Sequence, residues 1–364
     1  MRRTPALIVG GGPAGATTAL LLARARAPHV LVERSAVTGD ALCGGFLSWR
    51  TLDALEAIGI PRGALNRDDI RRVRLFAGRL RAEAWLPRPA LAVSRRRLDA
   101  LLMEHAITAG AAVERGVAAR SVAGLTAQVD GDAIAGDALF LATGKHDLRG
   151  LARPAEARGA DPTLGLRVRL GPSPTLDRLV GGTIELHLFD RGYAGLAQQE
   201  DGTVNLCLAV HRSRLNEAGS PDALVRALGR DLPRLGERLA HRAGRATIDA
   251  VANVPYGWRA DRGPAGLYRL GDQGAVIPSL AGEGMGIAVE SGRRAAAAYL
   301  RDGPAGSRDF QRRLAHDLAA PFALAGAIRG AAERPALAAA LTLAVRLAPV
   351  LAGIGAMMTR IRHS

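Results

Sequence analysis

Residues 6–15 of this 364-residue chain read ALIVGGGPAG, an apolar run that passes directly into a glycine-rich turn. The pattern predicts a buried strand over Ala6–Val9, followed by a helix that extends to about Arg26. Val30–Val32 predict a second strand, which ends at Glu33. Two strands joined by one helix form a βαβ unit, so the segment indicates an α/β fold with a parallel sheet.

The glycines of this turn follow the spacing Gly-x-Gly-x-x-Gly at Gly10, Gly12 and Gly15. Gly10 permits the tight turn, Gly12 lets the backbone approach a pyrophosphate, and Gly15 allows the helix to pack closely on the strand. Between a strand and a helix, this spacing predicts a bound dinucleotide. It does not by itself distinguish NAD from FAD.

The predicted cofactor contacts extend to both sides of the turn. The helix N-terminus at Pro13 and Ala14 faces the phosphates, where backbone N–H groups favour an anion. Glu33 is placed to accept hydrogen bonds from ribose hydroxyls, and Arg34 beside it is included in the same contact. The alternative is a glycine-rich turn without a ligand, which would not need the acid at that position.

A second glycine-rich segment distinguishes the two cofactors. The strand Leu267–Leu270 leads into Gly271-Asp272, whose carboxylate can bind a ribityl hydroxyl. The loop after it and the following helix N-terminus offer N–H groups to the flavin ring, where reduced flavin carries negative charge. An NAD dehydrogenase has no use for this element. The predicted FAD contacts here are Gly271, Asp272, Pro278, Gly282, Gly284, Met285 and Gly286.

With Ser291-Gly292, these residues resemble the FAD-dependent superfamily that contains geranylgeranyl reductases and aromatic (group A) flavin monooxygenases. The resemblance extends to about Leu300. It implies an α/β (α+β) fold: a glutathione-reductase-like, Rossmann-type FAD-binding domain, an inserted mostly antiparallel substrate sheet and a helical C-terminal tail. The alternating pattern of residues 164–251 independently predicts antiparallel strands.

The expected domain boundaries follow from this resemblance. The FAD-binding domain comprises residues 1–69, 91–158 and 256–302. Residues 70–90 and 159–255 form the substrate domain, and residues 303–364 form the C-terminal helical region.

Three shorter matches add predicted contacts. Arg95 stands where the family's arginine at a helix start reaches the FAD, although a solvated basic turn is the alternative. Cys43-Gly44 resembles the Cys-Gly-Gly segment of the reductase branch, which lies beside the flavin. Thr143-Gly144 follows a strand near the cofactor. For Lys145-His146 next to it, a solvated turn is at least as good an interpretation.

The sequence departs from the family at several points. Gly195 stands where the reductase branch has a tryptophan in its aromatic signature. The Asp-Gly motif of the monooxygenases and the Trp-x-Trp-x-Ile-Pro signature of the halogenases are absent. The sequence has one dinucleotide fingerprint, so NAD(P)H or a separate electron donor is expected to act only transiently.

Two side chains are candidates for catalysis. The Cys43 thiol could donate a proton to a substrate carbanion or sense redox state, and the alternative is a small residue that simply fits beside the cofactor. Tyr193 could donate a hydrogen bond to substrate, or it could be a packed sheet residue. Cys207 is interpreted as core. His187 and His211 are expected to be satisfied strand residues, and no metal site is predicted.

The predicted function is an FAD-dependent oxidoreductase for a hydrophobic substrate, namely an isoprenoid, a polyketide or a lipid-like molecule. The Cys-Gly-Gly segment favours a reductase that transfers hydride from flavin N5 to a carbon–carbon double bond. A monooxygenase that uses a C4a-hydroperoxide is the alternative. A further alternative is an electron-transfer flavoprotein that docks on an acidic protein partner.

Composition limits the partners. The 49 basic and 34 acidic residues give a net charge of +15, but the arginines are scattered and aromatic residues make up only 4%, so nucleic-acid binding is not expected. An acidic carrier or electron-transfer protein fits the charge. The two cysteines favour a reducing cytoplasm.

The apolar segment Ala336–Met357 has two interpretations. It forms core helices, or it lies in a membrane interface, held by Arg360 and Arg362. The second interpretation would make the protein peripheral to the inner face of the membrane.

Overall fold

The computed structural model describes residues 1–242 and 247–361. In sequence order its strands are β1 (Arg2–Val9), β2 (Val30–Glu33), β3 (Phe46–Leu47), β4 (Ile70–Ala77), β5 (Leu80–Ala92), β6 (Ala112–Arg115), β7 (Ala119–Ala123), β8 (Thr126–Val129), β9 (Asp132–Leu141), β10 (Thr163–Leu170), β11 (Thr183–Phe189), β12 (Gly192–Gln198), β13 (Val204–His211), β14 (Asp249–Val254) and β15 (Leu267–Arg269).

The helices are α1 (Pro13–Arg24), α2 (Trp49–Ala57), α3 (Arg62–Leu65), α4 (Arg95–Thr108), α5 (Pro174–Val180), α6 (Arg212–Ala218), α7 (Pro221–Asp231), α8 (Pro233–Leu239), α9 (Gly284–Asp302), α10 (Ser307–Asp317), α11 (Ala319–Ala332), α12 (Pro335–Leu347) and α13 (Val350–Met358). Ser48 and Ser94 cap α2 and α4, and each side chain accepts a hydrogen bond from a backbone N–H of the first turn. Serine is a preferred residue at both positions, so these helix starts follow from the local sequence.

The first sheet has the order β6-β2-β1-β9-β8-β7, and β15 pairs with the end of β9. β6, β2, β1, β9 and β15 are parallel, whereas β8 and β7 form an antiparallel extension. Helices α1, α4 and α9 pack together over one face. The predicted βαβ unit is confirmed, although α1 ends at Arg24 because Arg26 adopts a positive φ of 55°.

The second sheet has the order β14-β10-β13-β12-β11-β4-β5-β3. All its pairs are antiparallel except β11 with β4. The predicted combination of a Rossmann-type domain, a mostly antiparallel inserted sheet and a helical tail is therefore confirmed. The edge strand β3 comes from the segment assigned to the FAD-binding domain, because Phe46 and Leu47 pair with the end of β5.

Side chains of the second sheet alternate between two faces. One face carries the leucines and valines of β10 and β13, for example Leu166 and Leu206, which form a core under α5, α7 and α8. The other face carries the alternate residues, including Tyr193 and Ala209, and meets α11 and α12. This second face is turned toward the loop around Leu280, at the edge of the first sheet.

Candidate active site

Four parallel strands of the first sheet end at the same edge. β1 ends before Gly10, β2 ends at Glu33, β9 ends before the Thr143 turn, and β15 is followed closely by Asp272. Ligands of open α/β sheets bind at the carboxyl ends of the strands. The sheet therefore brings together predicted contacts that lie as far as 260 residues apart, from near Gly12 to Asp272.

The geometry of the first turn requires its glycines. Gly10 has φ +105°, and a Cβ there would lie 2.5 Å from the Ala142 carbonyl oxygen. A Cβ on Gly15 would lie 1.9 Å from the Gly10 oxygen. Gly12 caps α1, whose first turn contains no acidic residue. The helix N-terminus is thus free of a competing carboxylate and suits an anion.

Glu33 connects β2 to this turn. Its carboxylate accepts hydrogen bonds from the Gly11 N–H at 2.7 Å and the Ser35 N–H at 2.9 Å. Arg34 Nη2 lies 3.0 Å from His146 Nε2, so the turn after β9 reaches the end of β2. The predicted ribose acceptor and its neighbour are therefore both at the edge where the glycine-rich turn lies.

Arg95 lies beside the glycine-rich turn, as the resemblance implies. A Cβ on Gly12 would come 3.3 Å from Arg95 Nη2. The guanidinium donates two hydrogen bonds of 2.7 Å to Asp99, one turn along α4. Burial disfavours the charged form of Arg95, but the Asp99 carboxylate outweighs it and raises the pKa. A fixed positive charge thus stands next to the predicted pyrophosphate position.

Lys145 is the residue that the sequence interpretation missed. Its Nζ lies 3.3 Å from Asp272 Oδ2, so the Lys145 side chain is paired within the site, whereas His146 beside it is exposed in the turn. The Asp272 carboxylate raises the pKa of Lys145. The signal was in the composition, because Lys145 is the only lysine among 49 basic residues. Its placement depends on β15 lying beside β9, which periodicity cannot reveal.

The second glycine-rich segment is held by contacts with α9 and α1. Ser291 Oγ accepts a hydrogen bond from the Gly271 N–H at 2.9 Å. A Cβ on Gly292 would lie 2.6 Å from the Ala14 oxygen, so the close packing of α9 on α1 requires glycine there. The Ser-Gly pair thus positions Asp272 relative to the first turn.

The loop before α9 is tied to the segment that follows α13. Glu283 is fully buried, and Arg360 Nη1 donates to its Oε2 at 2.8 Å and to the Ala281 oxygen at 2.5 Å. Ser48 Oγ donates to the same carboxylate at 3.1 Å. Burial raises the pKa of Glu283 although Arg360 opposes this effect. Gly282 has φ +66° and its N–H donates to the Ser279 oxygen at 2.9 Å, whereas the N-terminus of α9 at Gly284 can face a ligand.

The remaining predicted contacts of this loop are placed as follows. Pro278 precedes the short helix over Ser279–Ala281, Met285 is buried in the core, and a Cβ on Gly286 would lie 2.7 Å from Glu283 Oε1.

Cys43 lies between the two sheets. Its carbonyl oxygen accepts hydrogen bonds from Asn205 Nδ2 at 2.8 Å and from Cys207 Sγ at 3.1 Å. Its side chain is partly buried and packs against the core of the first sheet. Gly44 follows without any atom close to the position of a Cβ.

The interpretation of Cys207 as core is wrong. Its neighbours Leu206 and Leu208 enter the core of the second sheet. Because side chains of a strand alternate between two faces, Cys207 lies on the other face, against the Cys43 segment. Burial raises the pKa of the Cys207 thiol to about 12. Two thiols therefore stand at the candidate site.

Tyr193 lies on the same face, and its hydroxyl is 2.6 Å from Ser279 Oγ in the second glycine-rich segment. Tyr256 approaches the same oxygen at 2.6 Å.

The two strand histidines contact carboxylates: His187 lies 3.3 Å from Glu185, and His211 lies 3.0 Å from Glu333. Within residues 1–242 and 247–361, no three His, Cys, Asp or Glu side chains group as metal ligands.

A cavity of about 1060 Å³ is lined in part by Tyr256. It is lined by Trp258, Arg259, His211 and Arg329 among others, and by none of the predicted flavin contacts. We place the candidate site at the strand ends instead, because two helix N-termini, Glu33, Arg95 and Asp272 converge there.

These residues fit FAD. At several positions a Cβ would collide with backbone atoms, so only glycine permits this concave backbone. The positive charges beside it complement the negative charge of a pyrophosphate. The carboxylates of Glu33 and Asp272 offer acceptors for hydroxyl groups of the ribose and the ribityl chain.

Comparisons with known proteins agree with this assignment. Residues 3–149 match the FAD binding domain family. A probable FAD-dependent monooxygenase from Pseudomonas aeruginosa, PqsL, has a similar structure with a TM-score of 0.71 and 18% identity, over 93% of this chain and 99% of that chain.

Two other structures are similar. A geranylgeranyl bacteriochlorophyll reductase-like protein from Thermoplasma acidophilum has a TM-score of 0.65 and 18% identity, over 86% of this chain and 82% of that one. A flavin-dependent brominase has a TM-score of 0.72 and 15% identity, over 98% and 93%. A search of curated proteins finds no match.

Proposed function

We propose that this protein, which matches the FAD binding domain family over residues 3–149, is an FAD-dependent oxidoreductase that reduces a carbon–carbon double bond of a hydrophobic substrate. The bound flavin would supply hydride transfer. The observation that carries the proposal is the position of Cys43, which lies between the core of the first sheet and strand β13 of the second sheet.

The residues of this protein have separate roles in the proposal. The first turn and Arg95 bind the pyrophosphate, and Asp272 orients the ribityl chain. Cys43 holds a proton at Sγ and gives it to the substrate carbon that becomes basic. Asn205 and Cys207 fix the peptide of Cys43 and so the position of its thiol. Tyr193 and its apolar neighbours on the second sheet surround the substrate and exclude water.

The electron source is part of the proposal. One dinucleotide fingerprint is present in the sequence, so NAD(P)H or a separate donor would reduce the flavin in passing. The similarity to a probable monooxygenase over 99% of that chain supports oxygen insertion as a second candidate. In that case the buried site would serve to keep water from the reduced cofactor.

A single-turnover experiment tests the proposal. The yellow protein is reduced anaerobically with dithionite in D₂O and mixed with isoprenoid alkenes such as geranylgeraniol, and the return of oxidised-flavin absorbance is recorded. We expect reoxidation by the alkene and one deuterium at each former double-bond carbon of the saturated product, because both the flavin N5 hydrogen and the thiol proton exchange with the solvent. Cys43→Ala is expected to slow this step by about 100-fold, because general acid catalysis contributes factors of that order.

Cys207→Ser is the matched control, because it removes a neighbouring thiol but keeps a hydroxyl that can donate to the Cys43 carbonyl oxygen. Its rate should stay within a small factor of the wild-type rate. If the flavin is reoxidised only after oxygen is admitted, and an oxygen atom is found in the product formed from the alkene, the protein is a monooxygenase. A protein that does not bind FAD would contradict both candidates.

A further inference from the structure

The outer side of α12 and α13 is apolar and uncovered. Eight large apolar side chains of these two helices are exposed, and six of them are Leu343, Leu347, Val350, Leu351, Met357 and Met358. Leu347 is 77% exposed and Val350 is 66% exposed. We call these six residues the apolar face. Contiguous apolar surface of this kind marks an interaction site.

The inner side of the same helices is already packed. Val345 of α12 contacts Leu75 of β4 and Ala82 and Ala84 of β5. Thr342 is buried and donates its hydroxyl to the Ala338 oxygen at 2.8 Å. α12 is thus apolar on both sides, but only its inner side packs on the second sheet. None of the nine residues of α13 is buried.

The charge of this segment selects the partner. Residues 334–364 contain no Asp or Glu, whereas Arg334 and Arg346 are exposed beside the apolar face. The whole protein has a net charge of +15. A second copy would bring the same positive charge to the contact. An anionic lipid surface satisfies both the apolar side chains and the arginines.

α12 and α13 are two short apolar helices with a sharp bend between them. Within residues 1–242 and 247–361, no single helix is long and apolar enough to span a membrane. α12 and α13 pass that test only as a pair, and they bend by 114° between Leu347 and Val350. Two short apolar helices at such an angle can lie together in the interfacial layer of a bilayer.

We propose that the apolar face docks this protein on anionic lipid bilayers. The apolar face lies beside the proposed substrate space, because Leu341 of α12 packs in the cluster of Tyr193 and Leu280. Arg360, two residues after α13, is bonded to Glu283 of the second glycine-rich segment. Docking would therefore present the site to substrate dissolved in lipid, a step that rests on the proposed function.

Vesicle co-sedimentation tests the docking. The flavin-loaded full-length protein is mixed with vesicles of equal parts phosphatidylcholine and phosphatidylglycerol, and separately with phosphatidylcholine alone. We expect clear binding to the anionic vesicles and weaker binding to the neutral ones. Leu347→Glu/Val350→Glu should lower the partition coefficient by at least about tenfold, because it places two charges at the lipid contact.

The matched control is Ile107→Glu/Leu300→Glu, which makes the same change at apolar positions that are 49% and 47% exposed on α4 and α9. It should bind like the wild type. Equal loss in both variants, or anionic binding that survives in Leu347→Glu/Val350→Glu, would overturn the proposal.

Size-exclusion chromatography distinguishes the other occupants. A dimer that the Leu347→Glu/Val350→Glu variant alone disrupts, with no vesicle binding, would assign the apolar face to a second copy. Capture by an acidic carrier protein without vesicle binding would assign it to that partner. Either result overturns lipid docking. Flavin content is measured on the same samples, so failure of the proposed function is seen separately.

Discussion

Two clusters of charged side chains in this protein look alike in composition but differ in what surrounds them. The Glu185 cluster consists of Glu185, Arg74, Arg238 and His187, and all four are buried where the second sheet meets α8. The Asp272 cluster consists of Asp272, Lys145, Arg95 and Asp99 at the strand ends, beside glycine-rich backbone.

The Glu185 cluster satisfies itself. Arg238 donates two hydrogen bonds of 2.9 Å to Glu185, and Arg74 donates one of 2.6 Å. His187 stacks on Phe76 with 4.5 Å between ring centroids. In the Asp272 cluster, by contrast, the Lys145–Asp272 distance is 3.3 Å and the adjacent positions lack side chains. A buried charge therefore indicates a ligand site only where its partners leave room for one.

The largest expected effect comes from Glu185→Gln. It removes the buried carboxylate that Arg74 and Arg238 share and leaves them only the partly exposed partners Glu83 and Glu237, which should lower the free energy of unfolding by about 3–5 kcal/mol. Urea denaturation followed by circular dichroism measures this. The FAD affinity of the folded fraction should be unchanged. A loss below about 1 kcal/mol would show that water or rearrangement compensates the arginines.

Acid provides the next test. Burial opposes ionisation of Glu185, but hydrogen bonds from His187 and Arg238 outweigh it and lower its pKa from 4.5 to about 2. The resulting stability is complete above pH 4.5 and decreases as the pH falls toward 2, by about 3 kcal/mol in all. Denaturation of wild type and Glu185→Gln across this range should show a steeper loss of stability in the wild type. Parallel curves would contradict the assignment.

Asp272→Asn should have the opposite profile to Glu185→Gln. It removes the charged acceptor for the ribityl chain, and FAD binding should weaken about 10- to 100-fold, since such a hydrogen bond contributes about 1.5–3 kcal/mol. Quenching of flavin fluorescence on titration measures the affinity. Urea stability of the apoprotein should change little. Equal affinity in the variant would remove Asp272 from the site.

Lys145→Met is expected to have the smallest effect. It keeps the side-chain length but removes the cation that pairs with Asp272 at the site, and FAD binding should weaken about fivefold at low salt and less at high salt. Arg262→Met, at a cation with a 92% exposed side chain, is the control and should bind FAD normally. A salt-independent effect of Lys145→Met would point to packing and not to charge.

Residues of the candidate site differ in whether the sequence alone could predict them. The strand, the three glycines and Glu33 can be recognised in the sequence because they are contiguous and their conformations are local. Gly271-Asp272 and Ser291-Gly292 are recognisable in the same way. Lys145 and Cys207 were misjudged, since their partners Asp272 and Cys43 lie 127 and 164 residues away in the sequence.

The apolar segment after Glu333 shows the same limit. Its composition fits a pair of core helices and a pair of interfacial helices equally well, because both require apolar residues at helical spacing. Only the packing of Val345 on the second sheet, with Leu347 and Val350 outside, distinguishes the inner side from the outer.

The sequence by itself determined the parallel βαβ unit, the antiparallel insertion and the flavin motifs, because turns, caps and alternation depend on neighbouring residues. The tertiary structure decided which distant side chains share the site: Lys145 with Asp272, Cys43 with Cys207, and Glu283 with Arg360. These pairs arise where strands and helices from separate segments meet, and the strength of a charge or a hydrogen bond depends on that distance and burial.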